Sequence, residues 1–180
     1  MLRDSARTDT TKNRLDHFFV VSVCAESLSI PYRIYNPDTP DDTSPGDPTL
    51  AQVIRWCYYS RHQSGYVRQR CLRHLLDRSE AWVVPFVVQL IGEYVIEIIE
   101  DIRKGLDLQP ESKASAQYGR FIADNPAFFD LTSQRVTSYW SCYYRLRFPV
   151  MRPKPDSKFE EYPGFSLIRA LRAAADVTPA

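Results

Sequence analysis

Two cysteines and two histidines lie near one another in a stretch that is otherwise basic and apolar. They are Cys57, His62, Cys71 and His74, and the last two can share one face of a helix because they are three residues apart. A zinc site needs a closely spaced set of four ligands, and a cysteine nucleophile needs a histidine and an orienting acid. The sequence places no such set here, so we expect no metal and no bound cofactor.

Acidic residues at helical spacing follow this stretch. They are Glu93, Glu97, Glu100 and Asp101. Paired carboxylates can perform acid–base chemistry or bind a metal, but a solvated helix face is the more common reason for such a pattern. A third reading is that they face arginines of the preceding helix, namely Arg68, Arg70 or Arg73.

Six arginines precede the acids, with tyrosines between them. They are Arg55, Arg61, Arg68, Arg70, Arg73 and Arg78, and the tyrosines are Tyr58, Tyr59 and Tyr66. Such a set can hold a phosphate backbone while aromatic rings stack on bases. The whole chain carries a formal net charge of only +1, however, whereas strong nucleic-acid binders usually carry excess charge. A face that docks another protein is therefore favoured over one that binds nucleic acid.

A second unusual stretch runs from Ser138 to Phe148 and holds Tyr139, Trp140, Tyr143 and Tyr144. One half of a helix cannot bury all four rings, so some should lie at a surface or under the chain that follows. Tyrosine, tryptophan and arginine dominate protein interfaces. The residues predicted to bind a protein or nucleic acid are Arg61, Tyr66, Arg68, Arg70, Arg73, Trp140, Tyr143 and Arg145.

The sequence lacks the common catalytic motifs. With six glycines in 180 residues it has no glycine-rich phosphate loop, and Ser64-Gly65 does not belong to a nucleophile elbow. An enzyme whose site assembles in space stays a third alternative.

Apolar periodicity predicts an all-α fold of six or seven helices. The helices are expected at about 12–27, 48–62, 66–77, 81–104, 112–123, 130–146 and 165–174. Asp47 and Pro48 predict the start of the second helix, and Pro85 and Gly92 predict interruptions in the fourth. The apolar run Trp82–Ile91 is too short to span a bilayer and is expected to be core.

We expect one domain over 1–180, with a flexible amino terminus over 1–11. The stretches 36–49 and 148–162 are rich in proline and predict surface loops or an ordered tail. Because no apolar leader is present and none of the four cysteines forms a closely spaced pair, we expect a reduced, cytoplasmic protein.

The centre of the chain resembles a HEAT-type helical repeat over roughly 48–104. Gly65–Leu76 looks like the second helix of one repeat, and Trp82–Phe86 looks like the first helix of the next. The second helices of the two repeats begin similarly, with Tyr66-Val67 in one and Tyr94-Val95 in the other. These pairs are 28 residues apart, which is shorter than the usual repeat length of ~40–47 residues. The resemblance implies stacked helical hairpins, and an irregular helical bundle is the alternative.

These patterns favour a non-enzymatic protein-interaction or scaffold domain. Its partner would be another protein, with nucleic acid as the alternative, and no membrane. The sequence does not indicate an oligomeric state.

Overall fold

The computed structural model describes residues 18–36 and 47–177, and this part of the chain is mostly helical. Two strands are followed by seven α-helices. The helices are α1 (Leu50–Tyr59), α2 (Gly65–Leu75), α3 (Val84–Ile91), α4 (Ile96–Gly105), α5 (Lys113–Asp124), α6 (Pro126–Tyr139) and α7 (Pro163–Val177). The predicted amino-terminal segment 1–11 and most of the predicted loop 36–49 lie outside the described residues.

The first two elements correct the all-α prediction. Strands β1 (Phe18–Val23) and β2 (Glu26–Pro31) form an antiparallel hairpin where the sequence predicts a helix over 12–27. Phe19 and Val21 are buried while the residues before each of them are exposed, which is the two-residue period of a strand. The prediction is wrong because the apolar residues at 15, 18, 19 and 23 also fit a helical stripe.

The hairpin turn and one asparagine fix the position of the strands. Cys24 and Ala25 form the turn with φ of 51° and 66°, the left-handed region that two-residue hairpin turns require. The backbone N–H of Ser22 donates to Asn125 Oδ1 at 2.7 Å, and Asn125 Nδ2 donates back to the Ser22 carbonyl at 2.8 Å. Asn125 therefore pairs with β1 much as a neighbouring strand would.

Helix α3 forms the centre of the core. All its residues are buried, which confirms that the apolar run ending at Ile91 is core. It packs against α4, α5 and α6, while α7 lies along α5 and α2 packs against both α1 and α4. The predicted long helix over 81–104 is divided: Ala81–Val83 is a 3-10 turn, and Gly92 ends α3 before α4 begins. Pro85 lies in the first turn of α3, where a missing N–H is tolerated.

Two helix starts differ from their predictions. Helix α1 begins at Leu50 because Thr49 forms a capping box with Gln52, so the predicted start at Asp47 and Pro48 is wrong by about two residues. Helix α6 begins at Pro126, earlier than the predicted start near 130–132, since proline is well accommodated at the first helical position.

The carboxyl-terminal part matches its prediction more closely. Helix α5 begins after Ser112, whose hydroxyl caps it. Helix α6 continues into a π-helical turn, Trp140–Tyr144. No helix or strand occurs between 148 and 162, before α7 begins.

Candidate functional site

A buried ion cluster joins four separate parts of the chain. Glu93, directly after α3, is 3% exposed. Both its carboxylate oxygens lie 3.1 Å from Arg33 Nη2, Oε1 lies 3.4 Å from Arg61 Nη2, and Oε2 lies 3.5 Å from Arg68 Nη2. We call Arg33, Arg61, Arg68 and Glu93 the arginine cluster. It connects the segment after β2, the α1–α2 loop and helix α2 to the α3–α4 connection.

Backbone carbonyls satisfy many of the remaining guanidinium N–H groups. Arg61 donates to the carbonyl oxygens of Pro31, Tyr32 and Ser60 at 3.3, 2.8 and 3.3 Å. Arg68 Nη1 donates to two carbonyls of the α1–α2 loop, both at 2.9 Å. Burial lowers the pKa of Arg61 to about 10, so its guanidinium stays charged at neutral pH. Burial also lowers the pKa of Arg68.

Two of the arginines that the sequence predicts as binding residues therefore lie inside the protein. Arg61 is 0% exposed and Arg68 is 1% exposed, so neither can touch a partner at the surface in this conformation. The expectation that both are exposed follows from their charge and is wrong: Arg61 lies just after the end of α1, and Arg68 lies on the buried face of α2 with Cys71 and Leu72. Their interior position is possible because Glu93 and the carbonyls replace the hydration of the guanidinium groups.

The other predicted residues of α2 lie at or near the surface. Tyr66 is 87% exposed, Arg70 is half-buried, and Arg73 is exposed with its Nε 2.9 Å from Asp101 Oδ2. The expected pairing between the acids and the arginines of α2 is thus present twice, at Arg73–Asp101 and at Arg68–Glu93, and the prediction of a solvated face is wrong for Glu93, which is buried. An exposed pair such as Arg73–Asp101 contributes little, about 0–1 kcal/mol.

Three tyrosines from two elements meet at the surface. The ring centroids of Tyr94 and Tyr139 are 6.1 Å apart, those of Tyr94 and Tyr143 are 6.4 Å apart, and those of Tyr139 and Tyr143 are 6.1 Å apart. Tyr94 is 48% exposed and Tyr143 is 65% exposed. We call these three residues the aromatic surface.

The chain after the π-helical turn covers one side of the aromatic stretch and leaves the other open. Trp140 Nε1 donates to the Phe148 carbonyl at 2.8 Å, and the Tyr144 ring stacks on Tyr162 with centroids 5.4 Å apart. Tyr143 lies outside this packing. The sequence predicts that the rings lie either at a surface or under the chain that follows. Trp140 and Tyr144 are partly covered by that chain, while Tyr143 faces solvent.

Exposed apolar and basic side chains follow Tyr143 in the chain. Leu146 is fully exposed. Arg145 is also exposed, its guanidinium lies 5.7 Å from the ring of Trp140, and it has no acidic partner in the described residues. Arg147 Nη2 lies 3.1 Å from Glu100 Oε1, so this arginine is already paired.

The arginine cluster lies directly beneath the aromatic surface. The Arg68 guanidinium lies 5.9 Å from the centroid of the Tyr94 ring, a cation–π distance. The Tyr144 hydroxyl donates to the Tyr94 carbonyl. Because Glu93 precedes Tyr94 in the chain, its ion pairs fix the backbone that carries the exposed ring.

Several of these residues are absent from the sequence-based set. Arg33 stands alone in a short extended segment, and Tyr94 and Tyr139 belong to helical patterns that carry no sign of exposure. The one usable signal is the excess of rings in 139–144, which predicts that some face solvent but not which ones.

Two cavities lie against α5, away from the residues just described. One, about 410 Å³, lies between the hairpin turn and α5; the other, about 280 Å³, lies between α5 and α7. Arg120 lines both.

In residues 18–36 and 47–177, no group of three or more His, Cys, Asp or Glu side chains is arranged to hold a metal ion. Over the same ranges, every helix is too short or too polar to cross a bilayer. The chain has no match among protein-family models, curated proteins or solved structures, so the resemblance to HEAT-type repeats stays a prediction.

Proposed function

We propose that the protein is a non-enzymatic interaction domain that docks a partner protein through the aromatic surface. The observation that carries this proposal is the meeting of Tyr94, Tyr139 and Tyr143 at the surface, two of them strongly exposed. Tyrosine contributes a large contact area at a small cost in side-chain entropy, which makes it common at interfaces. Leu146, three residues after Tyr143, adds exposed apolar area.

The charges indicate what kind of partner segment fits. Arg145 is exposed and unpaired with an acid in the described part of the chain, and its planar guanidinium suits a carboxylate. A partner segment that carries an acidic side chain and an apolar or aromatic one has chemistry suited to Arg145 and to the exposed Tyr143 and Leu146. The cluster beneath the surface holds Tyr94 in place, which reduces the entropy lost on binding.

The nucleic-acid alternative has less support. It depends on six arginines acting from one face, and Arg61 and Arg68 are interior while Arg73 and Arg78 are paired with Asp101 and Glu80.

Affinity capture from cells that produce the protein tests the proposal with matched variants. The double variant Tyr143→Ser/Arg145→Ser alters the proposed face, and Tyr66→Ser/Arg73→Ser changes the same residue types on α2. We expect the first variant to lose the partners that the wild-type protein retains, and the second to keep them. Circular dichroism first establishes that both variants are folded. Equal retention by both variants, or loss only in the α2 variant, would contradict the proposal.

A further inference from the structure

The larger of the two cavities against α5, about 410 Å³, is lined by one face of that helix. Lys113, Gln117, Arg120 and Asp124 line it and follow one another at intervals of three or four residues, which places them in one row along the helix. The hairpin turn and Ala81 also line the cavity. Small-molecule sites have volumes of roughly 300–1,000 Å³, so this cavity lies at the lower end of that range and suits a small ligand.

Apolar side chains contribute much of the lining. Val23, Ala81, Ala116 and Phe121 all belong to it. Phe121 is buried, and its ring packs edge-on against Phe128 with centroids 5.7 Å apart, so the core holds it in position. A ligand with an apolar body would therefore remove apolar surface from water on both sides of the contact.

The charged side chains of the lining favour an anion. Within residues 18–36 and 47–177, neither Lys113 nor Arg120 forms an ion pair with an acid. Asp124 lines the same cavity and is likewise unpaired in this part of the chain. Two positive charges and one negative charge sum to +1, so a ligand with a single negative charge neutralises the lining.

Ala116 leaves room for the anionic group between the two bases. It is exposed, and it lies three residues after Lys113 and four residues before Arg120, in the same row of the helix. Both long side chains can reach an oxygen atom placed over this small residue. Because the planar guanidinium of an arginine can pair with both oxygens of a carboxylate, Arg120 suits a carboxylate better than a spherical anion.

Hydrogen bonds hold the walls of the cavity in place. Asn125, directly after α5, exchanges two hydrogen bonds with the backbone of Ser22, which lines the cavity. Gln117 Nε2 donates to the Ser79 carbonyl at 2.9 Å, two residues before Ala81. A cavity whose walls are already fixed costs less entropy to occupy.

We propose that this cavity binds a small organic carboxylate with an apolar body. The carboxylate lies between Lys113 and Arg120, and the apolar body packs against Val23, Ala81 and Phe121. This site goes beyond the proposed docking function and is independent of it, since the aromatic surface contributes no lining residue.

Isothermal titration calorimetry of the full chain with 2-naphthoate tests the class of ligand. The neutral alcohol 2-naphthalenemethanol carries the same rings, and acetate carries the carboxylate without them. We expect 2-naphthoate to bind about tenfold more tightly than either compound, because it alone satisfies both the cations and the apolar lining. Equal affinity for 2-naphthoate and either comparison compound, or no saturable binding of 2-naphthoate, would overturn the proposal.

Matched variants show which cavity is occupied. Arg120→Gln removes a cation from an exposed position and should weaken 2-naphthoate binding about tenfold. Ala81→Leu fills part of the larger cavity and should also weaken binding, whereas Ala173→Leu fills part of the smaller cavity between α5 and α7 and should not. Lys104→Gln removes an exposed cation of α4 and provides the control for charge. Once circular dichroism has established that the variants are folded, wild-type affinity in Arg120→Gln, or a loss in Ala173→Leu instead of Ala81→Leu, contradicts the proposal.

Two exposed cysteines report the position of the probe in the unaltered protein. Cys24 lines the larger cavity, whereas Cys142 does not. At a 2-naphthoate concentration of about ten times its Kd, iodoacetamide should label Cys24 about tenfold more slowly, because only the protein without ligand reacts. Mass spectrometry follows each cysteine separately, and the rate at Cys142 should not change. An unchanged rate at Cys24, or equal slowing at both cysteines, would show that 2-naphthoate does not occupy this cavity and would overturn the proposal.

Discussion

Replacing Glu93 with glutamine removes the only negative charge of the arginine cluster while keeping the size of the side chain. The glutamine amide can still accept a hydrogen bond from one guanidinium, so the substitution measures the effect of the lost charge and not of a change in side-chain size. Arg61 and Arg68 cannot turn into solvent to compensate, since both are essentially unexposed. Arg33 is only partly exposed.

The size of the effect follows from the burial of these groups. Removing one partner of a buried ion pair costs about 3–5 kcal/mol, because the remaining charge stays desolvated. For a chain of this length a loss of 1 kcal/mol lowers Tm by about 2–4 °C, so the expected decrease is about 6–20 °C. The upper part of this range applies if all three arginines keep their positions.

Urea denaturation and thermal unfolding in chloride buffer measure the effect. Glu111→Gln provides the matched control, because Glu111 is exposed and should change the free energy of unfolding by less than about 0.5 kcal/mol. A double-mutant cycle with Arg68→Met tests the mechanism. The cost of Glu93→Gln should be about 1–3 kcal/mol smaller when Arg68 is already absent, since one fewer charge is left unpaired. A cost for Glu93→Gln no larger than that of Glu111→Gln would refute the reasoning.

Three further changes test other parts of the structure. Asn125→Ala removes the hydrogen bonds that hold β1 and should cost about 1–3 kcal/mol, with faster hydrogen exchange in the hairpin as the specific readout. Gly164→Ala places a Cβ 2.7 Å from a ring carbon of a buried tyrosine and should cost about 1–3 kcal/mol in urea denaturation, whereas Gly105→Ala meets only a leucine methyl group and should cost less. Cys24 is exposed and should react with iodoacetamide in the folded protein, while Cys57 should react only after unfolding, because burial blocks it and raises the pKa of its thiol; equal labelling by mass spectrometry would contradict this.

Periodicity predicted the helices that have one clear apolar face. Helices α2, α5 and α7 bury such faces, and their predicted positions agree with the structure to within a few residues. The hairpin could not be recognised in the same way. Its turn, Cys24-Ala25, lacks the Asn-Gly or Asp-Gly pair that usually marks a two-residue hairpin, so local sequence carries no signal for the positive φ angles.

The arginine cluster shows what sequence spacing cannot supply. Arg33 and Glu93 are 60 residues apart, and only the folding of the segment after β2 against the α1–α2 loop brings them together. An arginine is normally at the surface, and the distant carboxylate of Glu93 makes the interior position of Arg68 on the apolar face of α2 possible. The aromatic surface was partly predictable, since the crowding of rings in 139–144 exceeds what one helix face can bury.

Photo-crosslinking from the aromatic surface tests the proposed function most directly. A benzoylphenylalanine probe replaces Tyr143 in one sample and Tyr66 in another, in cells that produce the protein. Both positions are strongly exposed, so the probes have similar access to solvent. We predict a discrete adduct with a different protein from position 143 that is absent from position 66. The same adducts from both positions, or none from position 143, would contradict the assignment of the aromatic surface as the docking face.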